Sequence, residues 1–488
     1  MKPCFIRLIA VALVAVLAGA CSMGPDFEPP AQDFALPETF INAPAEKSDT
    51  FAGADPWWRA FEDSAMDQVV CRVLENNPDI RTAAARVLEV QSVFRQTRAD
   101  QFPGVAVNGE AGRQSYSAFN PLTGTSGTSI SDAYSLSLPA SYEVDLWGRL
   151  SRATEAARAD LLSARENRRT VMHSLVAEAV TLYLSMESLE RQIQVTRQSI
   201  EAHRLSLEIV EDRYRRGLTS ILDVRQAARS LALAQSQLPA LNAALGTRTH
   251  ALAVLQGQYP KNSPPPRDHG PDYYHPPPLV PPGLPSELIL RRPDVRAVEA
   301  ALHGACARIG VAKASRFPQI TLTGSFGYAS DELNSLFDPA SELWRIAAGA
   351  AQPVFDAGKR AAGQRAAEAR YEQALAAYAK TILQAFAEVE DALLTNKEQV
   401  DRRKRLLTYR EAAAATLDVA EDRYNRGLVD YLTVLDARLV KIDAELQVIT
   451  AEFDILANHV RLCRALGGGW DMAWTATSGE NSENSLLH

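Results

Sequence analysis

Pro78-Asp79-Ile80-Arg81 is written again as Pro293-Asp294-Val295-Arg296, 215 residues downstream. Phe102-Pro103 recurs as Phe317-Pro318 at the same offset, and Gly109 and Gly112 recur as Gly324 and Gly327. Further along the offset is 210: Gly148 matches Gly358, and Arg216-Gly217-Leu218 matches Arg426-Gly427-Leu428. Internal repetition at a fixed spacing constrains architecture before any local signal does. The chain therefore reads as two tandem structural repeats, 76–257 and 286–470. The offset changes only between about 113 and 147. Insertions collect in loops, so a loop is expected there. Residues 148–217 match 358–427 without a gap, as one continuous helix would.

Residues 260–285 contain eleven prolines. That run forbids helix and sheet, so 258–285 is expected to be a semi-rigid extended linker. Within each repeat the pattern is short helix, strand, loop, strand, very long helix, turn, helix. The first helix should run from about Asn77 to Gln101. Four strands follow from alternation: Val105, Val107, Gly109 and Ala111 in the first, and Leu136, Leu138, Ala140, Tyr142 and Val144 in the second. Ile320, Leu322, Phe326 and Tyr328 mark the third, while Trp344 to Phe355 alternates weakly. Each has about the length of a tilted transmembrane strand. Alternation alone fits soluble edge strands equally well.

Residues 148–215 and 358–425 lack proline, and at 1.5 Å per residue each could extend roughly 100 Å as helix. Leu175, Leu182 and Leu189 are spaced by sevens, then a step of four reaches Ile193, and sevens lead on to Ile200 and Leu207. The inserted four is a stutter that unwinds a left-handed supercoil. Ile382, Phe386, Val389 and Leu393 form the matching stripe. Apolar and small residues spread wider than one seam, which points to a wall of helices.

The chain begins as an export signal, expected over 1–20. Lys2 and Arg7 precede an acid-free apolar run from Leu8 to Ala18, too short for a membrane helix. Ala18-Gly19-Ala20-Cys21 resembles a lipobox, in which the cysteine is acylated and becomes the mature N-terminus; cleavage that leaves a free thiol is the alternative. Residues 21–75 are then expected to be a lipid-anchored extended segment, and 471–488 a tail. Cys71, Cys306 and Cys463 are few, scattered and set in helical apolar patterns, so buried free thiols are expected. The net charge of −8 argues against nucleic acid as a partner. No segment after the signal offers 18 consecutive apolar residues, so any membrane crossing requires a β-barrel. Four strands cannot close one alone. Two copies would supply eight strands and three copies twelve, and physics permits either.

The repeats, long helices and local motifs resemble the TolC-like outer-membrane efflux family, specifically its lipoprotein branch. The motifs are Gly24-Pro25-Asp26-Phe27 with Pro29-Pro30, Gly283-Leu284-Pro285-Ser286 leading to Arg291-Arg292-Pro293-Asp294-Val295-Arg296, and Tyr431-Leu432-Thr433-Val434-Leu435-Asp436-Ala437 with Leu466-Gly467-Gly468-Gly469-Trp470. The resemblance implies a mixed α and β membrane protein: a homotrimer with a twelve-stranded transmembrane β-barrel, four strands per chain, continuous with a long periplasmic α-helical barrel. It further implies a passive exit duct for small toxic molecules, embedded in outer-membrane lipid. Its periplasmic tip would dock an adaptor protein and an inner-membrane efflux transporter. Type I protein secretion is the rival within this class, and a lipid-anchored periplasmic coiled-coil protein the rival outside it.

Candidate sites follow from the hairpins. Gly217 and Gly427 end long helices, where glycine accepts the left-handed capping conformation. Turn chemistry alone explains them, and the resemblance adds adaptor contact for Arg216, Gly217, Leu218, Arg426, Gly427 and Leu428. Ser220 and Asp223 have capping-box spacing. Asp436 lies beyond the reach of capping and shares a helix face with Leu432, so it faces water or an opening. The resemblance implies that Leu432 and Asp436 line a closed aperture, with Asp223 assisting. No catalytic, cofactor or metal motif is present, and no enzyme or cofactor is expected. The lipobox reading makes one direct prediction: mass spectrometry of the mature N-terminus finds an acylated Cys21, and Cys21→Ala weakens anchoring. An unmodified N-terminus at Ser22 would refute it.

Overall fold

The structure, a computed structural model, describes residues 22–30, 39–43, 56–120, 125–260, 274, 276–277 and 291–468. The signal peptide, Cys21, most of the linker including Gly283 to Ser286, Gly469, Trp470 and the tail lie outside the described residues. The chain divides into two compact units, and each draws on both repeats.

The first unit comprises Met1–Ala31, Arg86–Arg165 and Ala297–Ala379. It holds the sheet: β1 (Gly104–Val105), β2 (Asn108–Asn120), β3 (Thr125–Val144), β4 (Gln319–Ser330) and β5 (Glu342–Ala351). All neighbours are antiparallel, with β1 and β2 on one side of β3, then β4, then β5. β1 and β2 are one strand interrupted opposite Pro139. The Ala106 N–H donates to the Pro139 carbonyl at 3.0 Å, and proline has no N–H to return the bond. Pro139 keeps its place in the register with β4, opposite Ser325.

The register segregates the faces. Leu136 lies opposite Tyr328, Leu138 opposite Phe326, Tyr142 opposite Leu322 and Val144 opposite Ile320. The other face pairs Ser137 with Gly327, Ser141 with Thr323 and Glu143 with Thr321. Two expectations are corrected. The loop expected between the first two strands is mostly ladder, because β2 runs on to Asn120 and β3 starts at Thr125. Backbone pairing needs no apolar side chain, so a Ser- and Thr-rich ribbon forms without alternation. The fourth strand ends at Ala351, ahead of Pro353.

Residues 22–30 belong to this unit and start beside the end of β3. Met23 N–H donates to the Trp147 carbonyl, Arg152 binds Asp26 at 2.5 Å, and Phe27 stacks on His303. Gly24, at φ +107°, lies so close to Gly310 that a Cβ would stand 2.5 Å from the Gly310 Cα. Trp147 stacks on Phe317 and donates to the Pro318 carbonyl, which gives the repeated Phe-Pro a structural role in the second repeat.

The long helices run without interruption: α3 is Arg149–Arg215 and α6 is Lys359–Asn425, each 67 residues. α4 (Ile221–Leu255) and α7 (Tyr431–Ala465) return from them. α2 (Pro78–Ala99) and α5 (Pro293–Ala314) open the two repeats. No described helix is long and apolar enough to cross a membrane.

The second unit comprises Gln32–Ala85, Glu166–Arg296 and Lys380–His488. Its N-terminal part corrects the expected extended segment at 21–75. Trp57–Phe61 is a 3-10 turn and Ser64–Asn76 is a helix, α1. Asp63 caps α1 by accepting from Ala65 and Met66 N–H. Met66, Val69, Val70, Val73 and Leu74 then repeat at helical spacing and bury themselves in the cluster that contains Val176, Val180 and Tyr183 of α3 and Val460 of α7. Arg292 of the inter-repeat motif is buried. It binds Asp294 through two nitrogens, Glu388 at 2.8 Å and the Ala465 carbonyl at 3.0 Å, so it joins the ends of α5 and α7 to α6. Cys306 and Cys463 are buried thiols and Cys71 is half-buried.

The seam of distal α3 also differs from the expected one. Thr196, Ser199, His203, Ser206 and Val210 are its buried residues, while Ile200 and Leu207 are half-buried at the margin. Small side chains let neighbouring helices approach more closely than Ile or Leu would.

His459 on α7 lies edge-on to Phe61, with ring centroids 5.6 Å apart. Burial pushes its pKa down to about 4. The unfolded chain binds that proton near pH 6.5. Its contribution to stability is therefore full above about pH 6.5 and falls as pH drops toward about 4, by up to about 1.4 kcal/mol per pH unit. His459→Phe should flatten the decline of melting temperature across that window. An unchanged decline would assign the acid sensitivity to other groups.

Candidate functional site

The two helical hairpins belong to the second unit, and both end their long helices in the same way. Gly217 and Gly427 each have φ +73°. Leu218 N–H returns to the Arg213 carbonyl and Gly217 N–H to Tyr214; Leu428 and Gly427 repeat this with Arg423 and Tyr424, all at 2.9 Å. These paired bonds satisfy carbonyls that the helix end leaves open. No atom lies within 4 Å of where a Cβ would stand at either glycine, so backbone conformation alone selects the residue.

Both turns project side chains outward. Leu218 is 65% exposed and Leu428 63%. Arg216 pairs with Asp212 at 2.8 Å and Arg426 with Asp422 at 3.0 Å, one helical turn back. Such exposed pairs are worth well under about 1 kcal/mol, so the guanidinium groups remain available to a partner.

The returning helices start differently. Ser220 and Asp223 form the expected capping box, and Asp223 also accepts from the Thr219 hydroxyl. Burial alone would raise the Asp223 pKa, but the donors from Thr219 and Ser220 outweigh it and hold the carboxyl below its usual range. Its carboxylate is thus committed to the turn. Asp430 caps α7 by accepting from Thr433 N–H at 3.0 Å and its hydroxyl at 2.8 Å.

Leu432 and Asp436 are exposed on one face of α7. The opposite face is buried: Tyr431, Val434, Leu435 and Ala437 pack with Val210, Ala227, Leu417 and Ala420. The face that bears Asp436 is therefore fixed by the core behind it. Arg438, unnoticed in the sequence, anchors that core. It binds Glu421 at 2.5 Å and donates to Ser206 and to the Ala202 carbonyl at 3.1 Å, which joins α7 to α6 and α3. Arg213 lies over the Tyr424 ring, and Tyr424 packs against Tyr431. A signal for these residues exists in the repeat. Glu211-Asp212-Arg213-Tyr214 recurs as Glu421-Asp422-Arg423-Tyr424, whereas Arg438 stands where the first repeat has Ala228.

Among the described residues no group of three or more His, Cys, Asp or Glu is placed to hold a metal ion. What the site offers is a rigid pair of turns, exposed leucines and arginines, and one carboxylate on a fixed helix face.

The profile of the outer membrane efflux protein family matches residues 69–258 and 284–468. The chain belongs to that family. It is 33% identical over 483 residues to the outer membrane protein OprJ of Pseudomonas aeruginosa, covering 96% of this chain and 97% of OprJ. It is 33% identical over 475 residues to the cation efflux system protein CusC of Escherichia coli O6:H1, covering 96% and 100%. The solved structure of the outer-membrane channel OprN superposes with a TM-score of 0.83 at 29% identity, over 92% of this chain and all of that one. The chain is an outer-membrane efflux channel component, as the sequence motifs led one to expect.

Proposed function

We propose that three copies of the chain form one twelve-stranded barrel through the outer membrane, continued by a periplasmic barrel of α3, α4, α6 and α7. The observation that carries this reading is the two-faced sheet. Residues 134–144 of β3 pair one for one with β4, the span a tilted transmembrane strand needs. Leu136, Leu138, Tyr142, Ile320, Leu322 and Phe326 share the face turned to lipid, and Ser137, Ser141 and Thr321 the face turned to the lumen. The duct is passive: an inner-membrane transporter supplies the energy and an adaptor docks on Arg216, Gly217, Leu218, Arg426, Gly427 and Leu428. Cargo is whatever small toxic compound the transporter delivers.

Cys21 carries the lipid in this reading. Its neighbour Ser22 lies against Gly148, where β3 gives way to α3. An acyl chain on Cys21 therefore enters the membrane at the rim where the strands end.

Leu432 and Asp436 close the periplasmic end, with Asp223 holding the adjacent turn. Around a threefold axis the exposed face of α7 brings three carboxylates together. At about 6 Å and an effective dielectric near 20, each like pair repels by roughly 3 kcal/mol. Such a ring binds cations, holds a proton or admits water, and each state suits a narrow gate that an adaptor can bias.

Two measurements test these assignments. Leu322→Arg should cost roughly 2–4 kcal/mol per copy and block assembly in the membrane, whereas Thr321→Arg should be much milder. Equal behaviour would refute the face assignment. Single-channel conductance in a planar bilayer should be low in the wild type, partly blocked by divalent cations, and clearly higher in Leu432→Ala with Asp436→Ala. A folded trimeric double variant that conducts like wild type would make Asp436 a surface acid.

A further inference from the structure

The polar face of the sheet is almost free of charge. Its residues on β2, β3, β4 and β5 are mostly Ser, Thr, Gly and Ala, and among the described strand residues only Glu110, Glu143 and Arg345 are charged there. Glu143 stands at the end of β3 and is held by Arg149 through bonds of 2.9 and 2.7 Å. Glu110 and Arg345 are exposed, and among the described residues neither has an ion-pair partner. Glu110 lies opposite Ser135, and Arg345 lies opposite Ser325, which itself faces Pro139. Ser135 and Pro139 alternate with Leu136 and Leu138, so both charges stand on the face away from the apolar one. Trp344 and Ile346, on either side of Arg345, take the apolar face and are exposed there.

The repeat relates these two charges. The sequence offset is 215 for the first strand of each repeat, from Gly109 to Gly324, and 210 toward the long helix, from Gly148 to Gly358. By these offsets Gly109 opposite Leu136 becomes Gly324 opposite Ile346, and that pair is present in the sheet. By the same offsets Glu110 opposite Ser135 becomes Ser325 opposite Arg345, also present. One cross-strand pair is thus used twice, as acid with serine in the first hairpin and as serine with base in the second. Within one copy the two charges are three strands and four residues apart. At about 4.8 Å per strand and about 3.4 Å per residue they are roughly 20 Å apart, well beyond the screening length of about 8 Å. The chain does not build them as an ion pair of its own.

We propose that Glu110 and Arg345 form a charge-balanced belt around the lumen and set the ion preference of the membrane-spanning part of the duct. The assignment rests on the trimeric barrel reading. In that barrel successive hairpins are related by rotation about the axis, which preserves level, so both versions of the pair lie in one belt. Ser325 with Pro139 is the central pair of the ladder that runs from Tyr134–Ser330 to Val144–Ile320, which sets the belt at mid-span. Three copies supply three glutamates and three arginines, alternating by hairpin. Twelve strands about 4.8 Å apart and tilted about 40° put the wall roughly 12 Å from the axis. The side chains project inward from it, so an ion on the axis lies within about a Debye length, ~8 Å, of the belt. Three like charges at about that distance in water change the local concentration of a monovalent ion by roughly threefold after screening. A ring of one sign would therefore favour cations or anions, as charged rings in pores do. The belt carries both signs, so its net preference cancels, and organic cations and anions pass mid-span alike. Removing either sign unmasks the other.

The experiment is the reversal potential of single channels of the full chain in a planar bilayer under a KCl gradient. All proteins carry Leu432→Ala with Asp436→Ala, which removes the carboxylates proposed at the periplasmic end. Arg345→Gln should raise the ratio of K⁺ to Cl⁻ permeability by about threefold or more, and Glu110→Gln should lower it by a similar factor. The double variant should return to the unsubstituted value, and Arg345→Lys should keep it, since the belt needs charge and not shape. Single variants that leave the ratio unchanged or move it the same way, or a double variant that matches either single one, overturn the belt. A second measurement separates that failure from failure of the barrel reading. In lipid vesicles Glu110→Cys and Arg345→Cys should react with a charged, water-soluble thiol reagent and Ile346→Cys should not, with the unsubstituted chain as control for Cys71, Cys306 and Cys463. That pattern with unmoved reversal potentials leaves the barrel standing and removes the belt. Equal reactivity at 345 and 346, or a copy number other than three by light scattering on the detergent-extracted protein, overturns the barrel reading together with the belt.

Discussion

Each edge strand of this sheet carries a row of backbone N–H and C=O groups that no described strand of the chain pairs with. In water such an edge is tolerable; in hydrocarbon each unmatched group costs several kcal/mol. In the proposed barrel the apolar face of β3 and β4 lies in hydrocarbon, so the edges of the sheet must find strands. No other described strand of the chain pairs with them. On that proposal oligomerisation is a condition of insertion, and the long helices would share its symmetry because α3 and α6 follow β3 and β5 in the chain.

The same economy governs the helices. Distal α3 has no wide band of large apolar residues and buries Thr196, Ser199, His203 and Ser206. A seam of that kind gains little from transfer of hydrocarbon out of water. It depends on close approach and on polar groups that reach partners, as Arg438 reaches Ser206 and the Ala202 carbonyl. Such an interface is specific in register but modest in strength, which would suit helices that shift in the proposed gate. The larger apolar cluster lies elsewhere in that unit, around Met66, Val176 and Tyr183, where α1 packs against α3.

Legibility in the sequence followed physical strength. Helix ends were readable to within a residue or two because glycines punctuate them: Gly148 and Gly217 bracket α3, and Gly358 and Gly427 bracket α6. The apolar face of the strands was readable at Leu136 to Val144, where alternation is enforced. It vanished over 113–133, a stretch rich in Ser, Thr and Gly, where the ladder from 113–120 to 125–132 forms without an apolar face. α1 carried a readable signal in Asp63 and the Met66 to Leu74 spacing, which the expectation of an extended segment overlooked. In the candidate site the turn glycines, the capping box and the exposure of Leu432 and Asp436 were accessible from local spacing. Arg438 was not, since its partners Glu421, Ser206 and Ala202 are distant in sequence and no local pattern selects it.

In the proposed barrel the two repeats would build a nearly uniform wall, and a uniform wall has no preferred place to close. Closure needs positions at which the repeats differ. Leu222 and Leu432 match, so the apolar contribution is shared; Gln226 stands where the second repeat has Asp436, and Ala228 where it has Arg438. The differences act together. Arg438 binds Glu421 and fixes the back of α7, while the first repeat, with alanine at that position, cannot form the corresponding pair from Ala228. Asp436 then projects from the firmly held helix face. In the proposed trimer this gives three carboxylates instead of six, and the number of like-charge pairs falls faster than the number of charges. Three carboxylates can be balanced by a cation, a proton or a little water, whereas six at similar spacing would hold the opening apart. In that proposed gate the glutamine would matter as much as the aspartate, because it keeps the ring's charge low enough to close.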